Sequence, residues 1–288
     1  MSVIDGILLG ILQGVAEFLP ISSSGHLEVA QHLLNLEEVP LLFDVFLHLA
    51  TLVAVCLYFR KQIWELLKCF GRWIARRERP AATIDDTDLL CGNDTVGRRT
   101  IIAVIISTII TGAIGIGTSK LIPDMPIKFV CIGFIITSVL LIGSALIEKR
   151  NAKPEYAPLY EKRRKEGITP WQAVSVGILQ GFGTLPGVSR SGSTIAGAMG
   201  SGMDRKVAGE YSFILSIPAI LGAFILELKD LGEMAGVVGA APIIGGCAAA
   251  FAVGYISLTL LMKMIRKGKL QWFAAYLIPA GILGFIFL

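Results

Sequence analysis

The sequence predicts an all-α integral membrane protein, with six transmembrane helices and two re-entrant helical hairpins arranged as an inverted-topology repeat. Three observations predict this fold class. The 288 residues are 54% hydrophobic and only 17% charged, with a mean hydropathy of +0.70, which is too apolar for a soluble domain. The pentapeptide Gly-Ile-Leu-Gln-Gly occurs twice, beginning at Gly10 and at Gly177. Lysine and arginine are concentrated in alternate loops, as in multi-pass proteins.

Six apolar windows are long enough to cross the hydrocarbon core, for which a helix needs about 20 residues. They are Leu41–Phe59, Thr100–Thr118, Pro126–Ile147, Val207–Leu226, Ala235–Met262 and Leu270–Leu288. Two more apolar stretches, Val3–Leu34 and Trp171–Met203, are each broken by a proline and a serine-glycine cluster. Each half of a broken stretch is too short to cross alone, so we interpret both as re-entrant hairpins. Such a break is tolerated at membrane depth only inside protein or beside a water-filled cavity.

The positive charges assign the two faces of the membrane. If the first hairpin enters and leaves on one side, 22 of the 26 Lys and Arg residues fall on the opposite side, which the positive-inside rule makes cytoplasmic. Both termini then lie on the external side. The predicted division is a first repeat over 1–147 with a cytoplasmic loop over 60–99, a cytoplasmic linker over 148–170, and a second repeat over 171–288. The net charge of +4 requires no nucleic-acid partner.

Three smaller features complete this outline. No Lys or Arg precedes Arg60, so we expect no signal peptide. The five cysteines show no C-x-x-C spacing, from which we expect neither disulfides nor a zinc site. In the cytoplasmic loop, apolar residues recur at helical spacing between basic residues, which predicts a helix lying on the inner membrane surface. These apolar residues are Ile63, Leu66, Leu67, Phe70, Trp73 and Ile74.

Glu17 is an ionisable residue about midway along the first broken stretch, where a charge costs roughly 2.5–3.5 kcal/mol. Two interpretations stay open. The carboxyl is either protonated or hydrogen-bonded to the broken backbone, or it is a cation ligand or proton-transfer group that faces a wet cavity. Gln13 lies four residues earlier on the same helical face. Gly6, Gly10 and Gly14 form a row that is typical of close helix packing.

A run of serines follows the first break: Ser22, Ser23 and Ser24. These are either small packing residues or hydroxyls of a binding site. His26 follows them after Gly25, and an imidazole beside hydroxyls in a buried break suits a general acid or base. A structural histidine is the alternative. The two other histidines, His32 and His48, have weaker context, and we interpret both as structural.

The second break supplies a positive charge. Arg190 is the only arginine in a membrane-embedded stretch, and its guanidinium fork suits a phosphate or pyrophosphate. The helix expected after Gly192 would add backbone N–H donors. A structural ion pair between Arg190 and Glu17 is the alternative. The hydroxyl residues that flank the arginine are Ser189, Ser191, Ser193 and Thr194.

The two breaks are expected to meet near the membrane midplane, because the hairpins enter from opposite faces. Glu17, Ser23, His26 and Arg190 would then share one cavity. A carboxylate, a hydroxyl, an imidazole and a guanidinium suit phosphoryl transfer better than an ion filter, since that chemistry depends mainly on positioning and charge stabilisation.

Two long motifs show a resemblance to a known family. The stretch Gln13–His26 matches a motif of Glu or Gln, three residues and Glu, followed by Phe-Leu-Pro-Ile/Val-Ser-Ser-Ser/Thr-Gly-His. Pro186–Thr194 matches Pro-Gly-x-Ser-Arg-Ser-Gly-x-Thr. On these residues the chain resembles, over essentially its whole length, the undecaprenyl-pyrophosphate phosphatase family, also known as the bacitracin-resistance protein family. A third, weaker match at Phe43-Asp44-Val45 has His48 and Ala50 at positions where Gln and Gly are expected.

The resemblance implies a phosphatase of the bacterial plasma (inner) membrane that converts undecaprenyl pyrophosphate to undecaprenyl phosphate and inorganic phosphate. That reaction recycles a lipid carrier for cell-wall synthesis. Ser23 or a water would attack the terminal phosphorus, with His26 as proton acceptor or donor. Arg190 would clamp the pyrophosphate, and Glu17 would hold a divalent cation, Mg²⁺ or Ca²⁺, or activate the nucleophile. The further substrate-binding residues would be Gln13, Ser22, Ser24, Ser189, Ser191 and Thr194.

Gln13 stands where the family more commonly has Glu, which leaves Glu17 as the only carboxylate of the first motif. A site with two carboxylate ligands for the cation is therefore not expected here. The expected partners are the polyprenyl pyrophosphate substrate and membrane lipids. A second copy of the chain, in a homodimer, is a further partner that the sequence neither requires nor excludes. The alternative function is a secondary transporter or flippase of polyprenyl phosphate, since inverted repeats with broken hairpins are typical of transporters.

Overall fold

The computed structural model describes residues 1–36, 39–80, 88–121, 126–151, 166–228 and 238–288, and these residues contain helices and turns but no strands. The all-α prediction is therefore confirmed for the described residues. They form eleven α-helices: α1 (Val3–Ala16), α2 (Ser23–Leu33), α3 (Leu41–Tyr58), α4 (Arg60–Ile74), α5 (Asp94–Leu121), α6 (Ile127–Asn151), α7 (Pro170–Phe182), α8 (Arg190–Gly200), α9 (Arg205–Glu227), α10 (Ala240–Arg266) and α11 (Trp272–Phe287).

Five helices in the described ranges are long and apolar enough to cross a membrane, namely α3, α5, α6, α9 and α10. The chain is thus a multi-pass helical membrane protein. The predicted sixth span corresponds to α11, a shorter apolar helix of 16 residues, below the roughly 20 residues of a full-length span, so its crossing of the membrane stays a prediction. The predicted window began at Leu270. Leu270 and Gln271 instead lie in the turn after α10, so α11 starts only at Trp272.

Each broken apolar stretch forms two short helices that pack against each other, α1 with α2 and α7 with α8. The 14 residues of α1 make a helix about 21 Å long, which is shorter than the hydrocarbon core of about 30 Å. The predicted helix-break-helix form of both stretches is therefore confirmed. That each pair returns to the face it entered from stays a prediction.

Glycines bring α1 directly against α10. A Cβ atom on Gly10 would lie 2.2 Å from the carbonyl oxygen of Gly246, so no larger side chain fits between the two backbones. In the second copy of the pentapeptide, a Cβ on Gly177 would lie 2.9 Å from the Cα of Ser107 in α5. The predicted packing role of the first glycine row is confirmed, since all of its members face α10: Gly6, Gly10 and Gly14.

A stack of three aromatic rings, which we name the aromatic stack, crosses the largest apolar cluster. Phe18 packs edge-on against Phe213 with ring centroids 5.7 Å apart, and Phe213 stacks on Phe59 at 6.1 Å. Each of the three side chains is fully buried. The stack connects the turn after α1, through α9, to the junction between α3 and α4.

The helix predicted in the cytoplasmic loop is present as α4, which confirms its secondary structure; its position on the membrane surface stays a prediction. Arg72 of α4 binds Asp94 at the start of α5, with 2.6 Å between Nη2 and Oδ1. The hydrogen bond from Arg72 to Asp94 raises the pKa of the guanidinium above its ordinary value. Residues 81–87 of the loop and 152–165 of the predicted linker lie outside the described residues. The exposed apolar residues of α4 are Trp64, Leu67, Phe70, Trp73 and Ile74.

The substitution Gly10→Ala should lower the melting temperature of the detergent-solubilised protein, because the added methyl group would overlap the backbone of Gly246. Overpacking of this kind costs about 1–3 kcal/mol. Gly143→Ala in α6 is the matched control, since no described atom outside the helix's own backbone lies within 4 Å of the added Cβ. Differential scanning fluorimetry compares the two. A Gly10→Ala protein as stable as the control would contradict the packing described above.

Candidate active site

Glu17 is the centre of a buried polar cluster at the end of α1. Its side chain is 3% exposed. The Oε2 atom accepts a hydrogen bond from the Ser23 hydroxyl at 2.6 Å and one from Gln13 Nε2 at 3.0 Å. His48 Nε2 lies 3.3 Å from the same oxygen. The Oε1 atom accepts a hydrogen bond from Arg190 Nη2. The structure thus brings together three of the four predicted catalytic residues.

The first break positions Ser23 through an unusual backbone turn. Ser22 has a φ of 71°, in the left-handed region, and it caps α2 by accepting a hydrogen bond from the Gly25 N–H at 3.3 Å. Because of this turn, Ser23 is the first residue of α2 and its hydroxyl points back to Glu17. Ser24 is exposed. Of the three serines, only Ser23 bonds to the carboxylate.

The second break positions Arg190 at the N-terminus of α8. Gly187 has a φ of 79°, and a Cβ on it would lie 2.0 Å from the carbonyl oxygen of Val130, so a glycine is required there. Ser189 then caps α8 by accepting a hydrogen bond from the Gly192 N–H at 3.1 Å. The close packing of the second break against α6 therefore fixes the position from which the Arg190 side chain extends.

The Arg190 side chain is 19% exposed, and its one hydrogen bond within the described residues goes to Glu17. A guanidinium has five N–H donors, so donors remain for a ligand. The predicted helper hydroxyls are largely engaged elsewhere. Thr194 donates to the Arg190 carbonyl at 2.9 Å and contacts the Ser212 hydroxyl at 2.5 Å, while Ser191 contacts Ser189 at 3.2 Å.

His26 lies apart from the hydrogen bonds around Glu17. Its Nδ1 is 2.7 Å from the carbonyl oxygen of Ser22, and its Nε2 is 2.8 Å from the hydroxyl of Tyr276. Because a carbonyl only accepts, Nδ1 carries the proton and Nε2 of the neutral ring accepts from Tyr276. The ring also packs against Phe134 and stacks on Tyr276. The expected contact between His26 and Ser23 is therefore not seen, since each ring nitrogen already has another partner.

His48 is the residue that sequence reasoning missed, because the interpretation of His48 as structural overlooked its contact with Glu17. The ring is held by the carbonyl oxygen of Asp44, 2.7 Å from Nδ1, and Asp44 in turn accepts from Gln31 Nε2 at 2.8 Å. The sequence did contain one signal for a functional His48, which is its position within an apolar span. Asp44 and His48 lie one helical turn apart within a span, and an ionisable residue inside a span is a functional candidate by default.

The cluster does not supply a cation cage of its own. Both Glu17 oxygens already face donors, one of them the guanidinium of Arg190. The described residues include no group of three or more His, Cys, Asp or Glu side chains arranged to hold a metal ion. Protein sites for Mg²⁺ or Ca²⁺ need several oxygen ligands that face the ion. The described residues of this cluster therefore do not fit a divalent cation as the protein's own ligand set, and a cation requirement stays a prediction of the resemblance.

Comparison with known proteins identifies close relatives over nearly the whole chain. Residues 6–283 match the family model described as Bacitracin resistance protein BacA. The chain is 44% identical over 282 residues to a protein of Treponema denticola named undecaprenyl-diphosphatase, covering 98% of this chain and 96% of the relative. Proteins of the same name from Desulfatibacillum aliphaticivorans and Borreliella burgdorferi are 40% and 36% identical, covering 95% and 98% of this chain and 94% and 97% of the relatives.

Removal of Arg190 alone should destabilise the protein by roughly 3–5 kcal/mol, the usual effect of leaving one member of a buried ion pair without its partner. The variant Arg190→Met is suitable because methionine keeps an unbranched, flexible stem and loses the charge. Adding Glu17→Gln should recover much of the loss, since no uncompensated charge then remains. Thermal unfolding of the wild type, both single variants and the double variant gives the coupling. Purely additive losses would show that the pair does not stabilise the fold.

Proposed function

Because this chain belongs to the bacitracin resistance protein BacA family, we propose that it hydrolyses undecaprenyl pyrophosphate to undecaprenyl phosphate and inorganic phosphate. The relatives that carry the name undecaprenyl-diphosphatase align with it over almost their full length. The expected role is recycling of the lipid carrier for cell-wall synthesis in the bacterial inner membrane. Bacitracin resistance follows from the same activity.

The observation that carries this proposal is that Glu17 and Ser23 of the first break contact each other while Arg190 of the second break contacts Glu17. The Ser23 hydroxyl is 2.6 Å from a Glu17 oxygen, which is the distance of a charge-assisted hydrogen bond. A carboxylate in this position can accept the proton of a nucleophile. Arg190 supplies a fixed positive charge beside it, where the transferred phosphoryl group needs stabilisation.

We propose the following course for the reaction. The remaining N–H donors of Arg190 hold the terminal phosphate, and the oxygen of Ser23 or of a water attacks its phosphorus. The attacking group passes its proton to Glu17 as the bond from phosphorus to the bridging oxygen breaks, and undecaprenyl phosphate leaves. If Ser23 attacks, water then hydrolyses the phosphoserine and releases inorganic phosphate. His48 lies against Glu17, where a positive ring would stabilise the carboxylate.

The function is tested by measuring phosphate release when the purified protein is given undecaprenyl pyrophosphate. Release of inorganic phosphate is expected, and parallel reactions with EDTA test the cation requirement. A protein that binds the lipid and moves it across vesicles without releasing phosphate would instead be a flippase.

Ser23→Ala and His26→Ala separate the role of the predicted nucleophile from that of its predicted proton acceptor. The Ser23 variant should lose activity by orders of magnitude if Ser23 is the nucleophile, and acid quenching of the wild type should trap phosphate on Ser23. The His26 variant should lose less, because His26 bonds to Tyr276 and not to Ser23. Tyr276→Phe is the matched control, since it removes that bond and keeps the ring. A His26→Ala protein as impaired as Ser23→Ala would restore His26 as a direct participant.

We propose that the two halves form the inverted repeat predicted from the sequence. In support, helix contacts are exchanged between the halves. Helix α1 packs on α10, the second span of the other half, and α7 packs on α5, the second span of the first half. The equivalent helices α3 and α9 contact each other, as do α6 and α11. This is the pattern of two units related by a pseudo-twofold axis.

The orientation is tested with reporters. A reporter fused after Leu288 should be found on the external side, and one placed within residues 76–94 should be found in the cytoplasm, because the positive charges are cytoplasmic. Alkaline phosphatase and green fluorescent protein fusions give opposite signals on the two sides and serve as controls for each other. The reverse pattern would contradict the proposed inversion.

A further inference from the structure

A cavity of about 290 Å³ lies away from the Glu17 cluster, at the end of the molecule where α3 meets α4 and where α10 ends. This volume is at the lower end of the range for small-ligand sites. The buried side chains of Phe59 and Met262 line it, together with the buried carboxylate of Glu210. Its charged rim consists of Arg60, Lys61 and Arg266, all exposed.

The rim is a concentration of positive charge, in which Arg60 Nη1 donates to the Leu57 carbonyl oxygen at 2.9 Å and its other N–H groups have no partner among the described residues. None of its three cations forms an ion pair with a described residue, although basic residues nearby are paired, such as Arg72 with Asp94 and Arg205 with Glu148. Glu210, the one carboxylate of the lining, lies 3.9 Å from the ammonium group of Lys206, which does not line the cavity. The lining therefore offers three cations against one carboxylate, which interacts electrostatically with both Lys206 and Arg266.

The backbone adds to this charge. Arg60, Lys61 and Gln62, which all line the cavity, are the first three residues of α4. No side chain caps this helix N-terminus. Backbone N–H groups at a helix N-terminus, together with the helix dipole, favour an anion. Two side-chain guanidinium groups and one ammonium group on the rim supply the charge-assisted donors that phosphate oxygens accept.

The aromatic stack separates this cavity from the candidate active site. Phe59 is both a wall of the cavity and the last ring of the stack, whereas Phe18, the first ring, directly follows Glu17 in the chain. The row of three rings therefore extends from the candidate active site to the cavity. By the charge distribution, the cavity is on the predicted cytoplasmic side.

We propose that this cavity is a second binding site for a phosphate group, distinct from the catalytic one. The phosphate belongs either to free inorganic phosphate or to the headgroup of an anionic lipid of the inner leaflet. Both sources present the same oxygens to Arg60 and Arg266. The apolar face of α4 beside the cavity, which exposes Trp64 and Leu67, is compatible with the headgroup source. The proposal is independent of the phosphatase reaction.

The test uses the full-length, delipidated protein in detergent with two probes. Inorganic phosphate is titrated by calorimetry, and dioleoyl phosphatidylglycerol is counted by native mass spectrometry against phosphatidylcholine. The double variant Arg60→Gln, Arg266→Gln should weaken binding of the effective probe at least about tenfold, since charge-assisted hydrogen bonds are lost. Lys263→Gln, Lys267→Gln is the matched control, because it removes the same charge from exposed positions in the last turn of α10 and directly after it, which do not line the cavity.

Each probe arm identifies one source. Saturation by phosphate supports free phosphate, and selective retention of phosphatidylglycerol supports the headgroup. The double variant Glu17→Gln, Arg190→Met, in which the lost stability is largely recovered, should keep this binding. The Arg60, Arg266 double variant should keep phosphatase activity, so failure of either proposal is distinguishable from failure of the other. Glu210→Gln should bind more tightly, because a negative charge is removed from the lining. Equal weakening by the control variant, no weakening by the double variant, or no binding of either probe to the wild type would overturn the second site.

Discussion

The ion pair between Glu17 and Arg190 is the contact on which the arrangement of the two halves depends. The two residues are 173 positions apart, and each is an ionisable group that would be costly at membrane depth without the other. Their pairing therefore requires both breaks in the helices to meet. Gln13, Ser23 and His48 complete the shell around the carboxylate. One buried ion pair therefore accounts both for the stability of this cluster and for its proposed chemistry, because Arg190 keeps N–H donors that do not bond to Glu17.

The approach of the breaks depends in turn on backbone geometry that few residues allow. Ser22 and Gly187 both adopt positive φ angles, and Gly187 lies directly against the carbonyl of Val130. Gly10, in the first broken stretch, lets α1 contact the backbone of α10. Small residues thus place short helices close enough to the spans that polar ends are surrounded by protein and not by lipid.

Sequence reasoning predicted what local pattern determines and missed what long-range packing determines. The apolar windows, the breaks and the glycine row depend on neighbouring residues, and all three correspond to observed elements. The ion pair between Glu17 and Arg190 could be proposed from the sequence, as an alternative to separate roles in the site, because both residues are rare charges in apolar sequence. The contact of His48 with Glu17 and that of His26 with Tyr276 were not, since each depends on how separate helices are rotated against one another. The roles of these residues in catalysis stay predictions.

The aromatic stack has a consequence for the membrane as an electrical insulator. A hydrolase with a buried site must admit water to the reacting phosphate, and a continuous file of water across the bilayer would also conduct protons. Phe18, Phe213 and Phe59 form a row of fully buried apolar rings next to Glu17, and charged species cross apolar surroundings only at high energetic cost. The polar cluster can therefore be wet from one side while the protein keeps the transmembrane voltage intact.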